Sequence, residues 1–292
     1  MRPNMPETTP AVLHRAQHCY RAGMPHLART GLSENWLLRE CGHRHWEALA
    51  AATGRAVPEF VDDDGCRAYA AFTAVRVSDA KLDALREHDA FEIETALSRS
   101  GPARHFSTHR LHCRGEVRAN VAMSSAFVRR REAGNNQSVV RARFAALEVP
   151  GPAMPTIAPA AAELARLGKQ FRAGQWSDEL DIARPDRVSG AAVNFLPCPN
   201  NDFNGAEFLY FASFQAFVDR AEWQRHRFDA PPSVVRRDLF FHGNLNVGDT
   251  LAVRPVAQRA DREGLAHWCE VRRGSDGEKI ADVVTLKQWR PR

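Results

Sequence analysis

Four prolines stand close together near the middle of this 292-residue chain. They occupy positions 150, 152, 155 and 159, within the stretch from Val149 to Ala162. Each proline fixes its own φ angle and lacks a backbone donor, so neither a helix interior nor a central strand can run through this stretch. We therefore predict one unit over residues 1–150, a linker with a short helix over residues 151–186, and a second unit over residues 187–292.

Each predicted unit has a helix ahead of its strands. In the first unit Ser33 is the expected N-cap of a helix that ends near Leu49. In the second unit Asn204 and Gly205 are expected to open a helix that ends near Trp223. The second helix is apolar on nearly all sides, so the rest of the fold must enclose it.

Strand patterns follow both helices. Residues 116–123 alternate between apolar and polar, which is typical of a half-buried antiparallel strand. Residues 239–242 and 251–253 give further strands, and residues 268–289 predict a hairpin with its turn at Gly274–Gly277. The fold class is α+β, and a helix wrapped by an antiparallel meander is the order of a hot-dog fold. Two such units predict a double hot-dog whose sheets join edge to edge, which removes two exposed edges.

Composition restricts the class of protein and its partners. The formal charge of +5 favours anionic partners, but no basic block with interleaved aromatics occurs, so we predict no nucleic-acid partner. No apolar run is long enough to cross a membrane and no signal-peptide pattern begins the chain, so we expect a cytoplasmic protein without a membrane partner. The six cysteines include no CxxC pair, as expected for reduced thiols.

The histidines do not predict a metal site. His43 and His45 are two residues apart on the first helix, so their imidazoles point in directions about 200° apart. His105, His109 and His112 lie on a predicted strand, where the first two share a face and the third points away. We interpret these three as surface or interface polar residues.

Several segments carry a resemblance to a known family. They read GMPHL from Gly23, GLSENWLLRECGHRHW from Gly31, DGCRAYAAF from Asp64, NDFNGAEFLY from Asn201 and RDLFFHGNLNVGD from Arg237. With these segments the chain resembles the leinamycin-pathway bifunctional acyltransferase/decarboxylase family of polyketide biosynthesis over most of its length. The early segments are the specific ones, since Asn-Gly and Gly-Asp pairs occur in many hot-dog proteins.

The resemblance implies a double hot-dog fold and a pair of reactions. Methylmalonyl-CoA would be decarboxylated, and the resulting propionyl group would pass to the phosphopantetheine thiol of an acyl carrier protein. Acyl-CoA would be the substrate and the carrier protein the partner, with no bound cofactor. Two such chains could associate further as a homodimer. The catalytic tyrosine of the family corresponds to Tyr69.

The residues around Tyr69 are compatible with such a role. Alanines on both sides leave its hydroxyl unshielded, and Arg67 is two residues away on the same face of the strand. A phenol with a pKa near 10 needs a nearby base or cation to react at neutral pH, and Arg67 could supply that field. Tyr69 fits equally well as an acyl acceptor and as a proton donor to an enolate.

Substrate binding should involve helix N-termini and one strand end. Decarboxylation develops negative charge on the thioester oxygen, and backbone N–H groups at a helix N-terminus can stabilise that charge. Histidine and asparagine side chains at the end of a strand could reach pantetheine or a carboxylate. The candidates are Leu32, Ser33, Glu34 and Asn35 at the first helix, Asn204 and Gly205 at the second, and His242 and Asn244 at the strand end.

Two other functions remain open from the sequence. A hot-dog thioesterase would use a carboxylate beside a helix N-terminus, and a dehydratase a histidine with a carboxylate. Glu34, Glu207 and His242 could take these roles. The other alternative is a non-catalytic module that docks a carrier protein through its arginine-rich surface.

Overall fold

The computed structural model describes residues 11–101, 103–145, 157–175, 182 and 190–290. The helices in this part of the chain are α1 (Glu34–Ala52), α2 (Pro159–Ala173), α3 (Pro199–Asp202) and α4 (Phe211–His226). The strands are β1 (Val12–Arg21), β2 (Leu27–Ala28), β3 (Gly31–Leu32), β4 (Phe60–Val61), β5 (Arg67–Ser78), β6 (Ala90–Gly101), β7 (Arg104–Cys113), β8 (Glu116–Arg130), β9 (Val139–Arg141), β10 (Val193–Phe195), β11 (Ser233–Phe241), β12 (Leu251–Ala260), β13 (Gly264–Arg273) and β14 (Lys279–Gln288).

One long antiparallel sheet runs through both halves of the chain. Its strand order is β1-β6-β7-β8-β5-β11-β14-β13-β12-β10, with β4 paired to β5 and β9 paired to β8. The halves meet at β5 and β11, which pair from Arg237 opposite Val77 to Phe240 opposite Ala74. The predicted edge-to-edge closure is therefore confirmed, and the chain has a double hot-dog fold of the α+β class.

The first helix begins where the sequence predicts. The Ser33 hydroxyl accepts a hydrogen bond from the backbone N–H of Trp36 at 3.3 Å, which satisfies one of the donors that a helix start leaves free. The helix continues to Ala52 and buries Leu37, Leu38 and Leu49 against the sheet.

The second central helix begins later than the sequence predicts. Asn204 and Gly205 do not open it, because the Asn204 side-chain oxygen accepts the backbone N–H groups of Ala206 and Phe208 at 3.0 and 3.1 Å. These bonds close a tight loop, and α4 starts only at Phe211. The predicted enclosure is correct, since the helix buries eight of its residues: Phe211, Ala212, Ser213, Phe214, Gln215, Phe217, Val218 and Ala221.

The two central helices approach closely at Gly42. A Cβ atom at this position would lie 2.7 Å from Cε1 of Phe211, so a side chain here would collide with the first residue of α4. The Asn35 amide of α1 also donates to the backbone oxygen of Ala212 at 3.0 Å. The N-terminal parts of α1 and α4 are thus held against each other on one face of the sheet.

Helix α2 covers part of the opposite face. Its residues Leu164, Leu167 and Phe171 pack in a cluster that includes Phe240 and Trp268 of the second half. The short helix predicted within the linker is therefore present. Prolines 150, 152 and 155 lie outside the described residues, and the domain boundaries stay predictions. No helix in the described ranges is long and apolar enough to cross a membrane.

Candidate active site

A cavity opens where β5 and β11 separate. Their ladder ends at Phe240, opposite Ala74, while β5 extends further to Arg67 and the chain after Phe241 turns away. The gap holds a cavity of about 210 Å³ between the two halves of the protein. Its aromatic lining consists of Trp46, Tyr69, Phe72, Phe208, Tyr210, Phe211, Phe214 and Phe241.

The rest of the lining is mostly small or uncharged. It comprises Ala70, Ala71, Thr73, Val128, Val139, Asn204, Leu209, His242, Gly243 and Asn244. No aspartate or glutamate of the described residues belongs to it. The cavity is therefore an apolar compartment with hydroxyl and amide groups at a few positions.

Tyr69 lies at the outer side of this cavity. Its neighbours Ala68 and Ala70 pack into the cluster that contains Leu49 of α1, so alternation along β5 directs Tyr69 to the opposite face. There its ring meets the edge of Phe208 at a centroid distance of 5.3 Å. Among the described residues, none forms a hydrogen bond with its hydroxyl, which is therefore available to a ligand.

Two guanidinium groups flank the Tyr69 ring. The Cζ atoms of Arg67 and Arg130 lie 5.6 and 5.7 Å from its centroid, and Arg130 also lies 3.9 Å from the centroid of Phe208. The predicted association of Arg67 with Tyr69 is thus present as geometry. Arg130 was missed, because β8 comes close to Tyr69 only through the pairing of Val128 with that residue.

The two predicted asparagines shape the loop that precedes α4. The Asn244 side-chain oxygen accepts the N–H of Leu209 at 3.0 Å, and its amide donates to the Leu209 oxygen at 3.2 Å. The Asn204 oxygen is used within its own loop, whereas no acceptor for its amide N–H groups lies in the described part of the chain. Gly205 is exposed and does not line the cavity. Asn204 is therefore the one of these three with a side-chain donor to offer a ligand.

The imidazole of His242 is already engaged. Its Nε2 atom lies 2.7 Å from Oδ2 of the fully buried Asp282, whose other oxygen accepts from the indole of Trp268 at 2.9 Å. Lys279 also contacts Asp282 at 2.9 Å. Because Trp268 packs with α2, this group lies on the α2 face of the sheet. His242 nevertheless lines the cavity, so its predicted contact with substrate stays a prediction.

The N-terminus of α4 points at the cavity. Tyr210 occupies the N-cap position with an extended backbone, and no side chain caps the helix. The first N–H groups of a helix have no intrahelical partners and carry the positive end of its dipole. Burial raises the pKa of the Tyr210 hydroxyl to about 12, and this hydroxyl donates to the backbone oxygen of Arg39 at 3.5 Å.

The remaining predicted residues line a different cleft. Leu32, Ser33, Glu34 and Asn35 border a cavity of about 280 Å³ at the N-terminus of α1. The predicted set is therefore divided between two clefts, one at the start of each central helix. The described residues that line the second cleft include Asp83, Asp219 and Lys287 but no tyrosine.

An ion network occupies the second cleft. The fully buried guanidinium of Arg237 holds both oxygens of Glu34 at 2.8 and 3.0 Å and one oxygen of Asp219 at 2.8 Å. Lys287 continues the network to Asp219 at 3.0 Å and to Glu222 at 2.7 Å. Glu34 is thus an ion-pair partner across the two halves rather than a free carboxylate, and the role predicted for it is not supported by this geometry.

The histidines interpreted as surface residues include two that are buried, so that interpretation was wrong for them. His109 and His105 are 1% and 5% exposed. His109 bonds Ser107 and Thr95, both at 2.9 Å, and Ser107 in turn bonds His45 of α1 at 2.7 Å. Alternation correctly placed His105 and His109 on one face, but that face is the one covered by α1. Within the described residues, no cluster of metal-binding side chains occurs.

Comparison with known proteins supports the fold. An acyl-ACP thioesterase from Bacteroides thetaiotaomicron matches with a TM-score of 0.57 and 10% identity, over 94% of this chain and 98% of the other. The 12:0-ACP thioesterase from Umbellularia californica matches with a TM-score of 0.60 and 10% identity, over 94% of both chains. A Lactobacillus plantarum protein assigned as an oleoyl thioesterase matches with a TM-score of 0.63 and 10% identity, over 96% of both chains.

At such low identity these similarities establish the architecture and leave the reaction to be inferred from the site. No protein-family model matches the sequence, and no curated protein matches it significantly. This chain is similar to double hot-dog proteins in fold over nearly its whole length.

Proposed function

We propose that the protein is an acyl-thioester enzyme whose reaction takes place in the cavity at the N-terminus of α4. The proposed reaction is decarboxylation of methylmalonyl-CoA, or of a related malonyl-type thioester, followed by transfer of the acyl group to the phosphopantetheine thiol of a carrier protein. The observation that carries this proposal is the Tyr69 hydroxyl, which has no hydrogen-bond partner among the described residues and lies with Arg67 and Arg130 beside an aromatic cavity.

The cavity suits the first step. Breaking the bond between the α-carbon and the carboxylate releases CO₂ and leaves the electron pair as an enolate on the thioester. The uncapped N–H groups of α4 would stabilise the charge on the enolate oxygen, and the aromatic walls would exclude water that competes for it. A proton delivered to the α-carbon then gives the propionyl thioester.

Tyr69 has two roles compatible with this geometry. As a nucleophile its oxygen would attack the thioester carbonyl, the C–S bond would break and CoA would leave as the thiol with the phenolic proton. The carrier thiol would then attack the aryl ester and restore the phenol. As a proton donor it would protonate the enolate carbon, and the carrier thiol would attack the thioester directly. The two flanking guanidiniums would stabilise a phenolate in either case.

Hydrolysis is the alternative that the structural relatives suggest, since the three compared proteins are described as thioesterases. The cavity offers little support for it, because no carboxylate lines it in the described residues. Glu34 is bound to Arg237, and Asp282, the carboxylate that His242 contacts, is fully buried and does not line the cavity. Glu207 is exposed outside the cavity. Acyl transfer therefore fits the available groups better than carboxylate-assisted hydrolysis.

The test uses the intact protein with methylmalonyl-CoA, with and without a holo carrier protein. We expect a carrier whose mass increases by one propionyl group, CO₂ release, and little free acid. Propionyl-CoA should acylate the carrier without CO₂ release, which separates transfer from decarboxylation. Free acid formed at the same rate in the absence of carrier would replace the transfer assignment with hydrolysis. Turnover of neither thioester would overturn the proposal.

A further inference from the structure

The face of the sheet that carries Tyr69 also carries four arginines. In the ladder, Tyr69 pairs with Val128 of β8, and Val128 pairs with Arg141 of β9. Directly paired residues share a face, so Arg141 lies on the side of Tyr69. In the adjacent row, Ala71 pairs with Ala126, which pairs with Arg104 of β7.

Alternation along the strands adds the other two arginines. Arg67 is two residues from Tyr69 on β5, and Arg130 is two residues from Val128 on β8. Phe106, two residues after Arg104, packs in the cluster under α2, which identifies this as the outer face of the sheet. We call the four residues Arg67, Arg104, Arg130 and Arg141 the arginine face.

The arginine face has no carboxylate counter-charge among the described residues. None of its members forms an ion pair with a carboxylate in the described part of the chain. Arg130 donates to the side-chain oxygen of Asn136 at 2.8 Å and to the backbone oxygen of Ala206, both uncharged groups. Burial and the charge of Arg141 lower the pKa of Arg104, the direction expected for a cation that lacks a counter-charge.

Other arginines of the protein contrast with this face. Arg237 and Arg76 bind carboxylates directly, at 2.8 Å in each case. Four like charges on neighbouring strands repel one another and oppose folding unless an anion binds them. Guanidinium groups are well suited to phosphate, whose oxygens accept paired N–H donors. The arrangement therefore indicates a phosphate ligand beside the opening of the cavity.

We propose that the arginine face binds the phosphate of a phosphopantetheine arm, carried either by CoA or by a carrier protein. This inference rests on the proposed function and deepens it. Arg104 on β7 and Arg141 on β9 both lie next to β8 on the side away from β5, so each is two strands from Tyr69, about 10 Å across the sheet. The phosphate would lie on the outer face, and the pantetheine arm would pass Tyr69 and enter between β5 and β11.

The test measures binding by calorimetry and needs no turnover. CoA and pantetheine, which lacks phosphate, are titrated into the wild type and into Arg104→Gln/Arg141→Gln. We expect CoA to bind the wild type at least about tenfold more tightly than pantetheine, with an advantage that shrinks as salt rises. In the double variant this ratio should fall about tenfold. The control Arg262→Gln removes one charge at the exposed β12–β13 turn and should keep the wild-type ratio.

The two sources of the phosphate are separated by titrating holo and apo forms of the carrier protein. If the double variant loses the tighter binding of CoA over pantetheine, the arginine face binds the phosphate of CoA. If it loses the tighter binding of the holo over the apo carrier, the arginine face binds the phosphate of the carrier. If both affinity ratios are the same in the wild type and the double variant, the proposal is overturned. If the double variant fails to fold, Arg141→Gln alone, at an exposed position, gives the same comparison.

The phosphate site and the proposed reaction can fail independently. If CoA binding depends on the arginines but no acyl transfer occurs, the reaction is wrong and the phosphate site is supported. If acyl transfer occurs but neither binding ratio depends on the arginines, the reaction is supported and the phosphate site is wrong.

Discussion

Three histidines buried between α1 and the sheet should make the protein sensitive to mild acid. Burial lowers the pKa of His109 from 6.5 to about 3. Burial, and then the charge of Arg99, lowers that of His105 to about 4. His45 is shifted well below 6.5 by burial and by its two histidine neighbours. All three therefore stay neutral in the folded protein at a pH where the unfolded chain binds protons.

The sign and size of the effect follow from this difference. A histidine whose pKa is lowered on folding does not reduce the unfolding free energy above about pH 6.5. As the pH falls from 6.5 toward the pKa of the folded state, the unfolded chain binds a proton that the folded protein does not, and the unfolding free energy decreases. Between pH 7 and pH 5, His109 alone should reduce the unfolding free energy by about 2 kcal/mol. His105 and His109 together should remove about 4 kcal/mol, a large part of the 5–15 kcal/mol that typically stabilises a protein, and His45 acts in the same direction.

The assay is denaturant unfolding at a series of pH values between 5 and 7, with His109→Gln beside the wild type. Glutamine can bond Ser107 and Thr95 as His109 does, but it does not titrate. The wild type should lose about 2 kcal/mol more than the variant over this range.

His43→Gln is the matched control, because this histidine side chain on α1 is 56% exposed, and the variant should follow the wild-type curve. Parallel curves for wild type and His109→Gln would refute the burial of a neutral imidazole at this position.

Two further substitutions test the packing of the central helices. Arg237→Met should lower the unfolding free energy by about 3–5 kcal/mol in denaturant titration, because it leaves Glu34 buried without its cation; a loss under about 1 kcal/mol would show that the ion network does not hold the halves together. Gly42→Ala should lower the melting temperature, with a loss of about 1–3 kcal/mol, because the new Cβ would lie 2.7 Å from Phe211. Alanine is the better helix former by about 1 kcal/mol, so a higher melting temperature would contradict that contact.

Local chemistry explains which parts of the fold the sequence predicts. Ser33 caps α1 as expected because a serine before a helix has few better hydrogen-bond partners. The predicted start of α4 at Asn204 was wrong, because an asparagine side chain can close a turn as readily as it caps a helix. Whether Asn204 closes a turn or caps the helix depends on the position of Leu209, which is held by the distant residue Asn244.

The sequence predicts which residues of the candidate site are neighbours only where those residues lie on the same strand. Alternation placed Arg67 beside Tyr69, and the structure brings their side chains together. Arg130 could not be found in this way, because the register between β5 and β8 decides which of three consecutive arginines approaches Tyr69. The same limitation applies to His109, since alternation gives the shared face but not which face α1 covers.

The division of the predicted residues between two clefts also arises from tertiary structure. Both central helices offer an N-terminus at the junction of the halves, and the sequence does not distinguish them. The difference lies in the lining: the cleft at α1 is bordered by Glu34 and Asp219, which are ion-paired with Arg237, whereas the cleft at α4 is lined mainly by aromatic and small side chains. This asymmetry leads us to assign the reaction to the α4 side.

If thioester chemistry takes place at Tyr69, loss of its hydroxyl in Tyr69→Phe must slow acyl transfer. Carrier acylation from methylmalonyl-CoA is measured for this variant, for the wild type and for Tyr20→Phe. The control removes a hydroxyl that bonds Glu40, away from the cavity. We expect the transfer rate to fall at least about 100-fold for Tyr69→Phe and to stay near the wild-type rate for Tyr20→Phe. Wild-type transfer by a folded Tyr69→Phe variant would contradict this expectation.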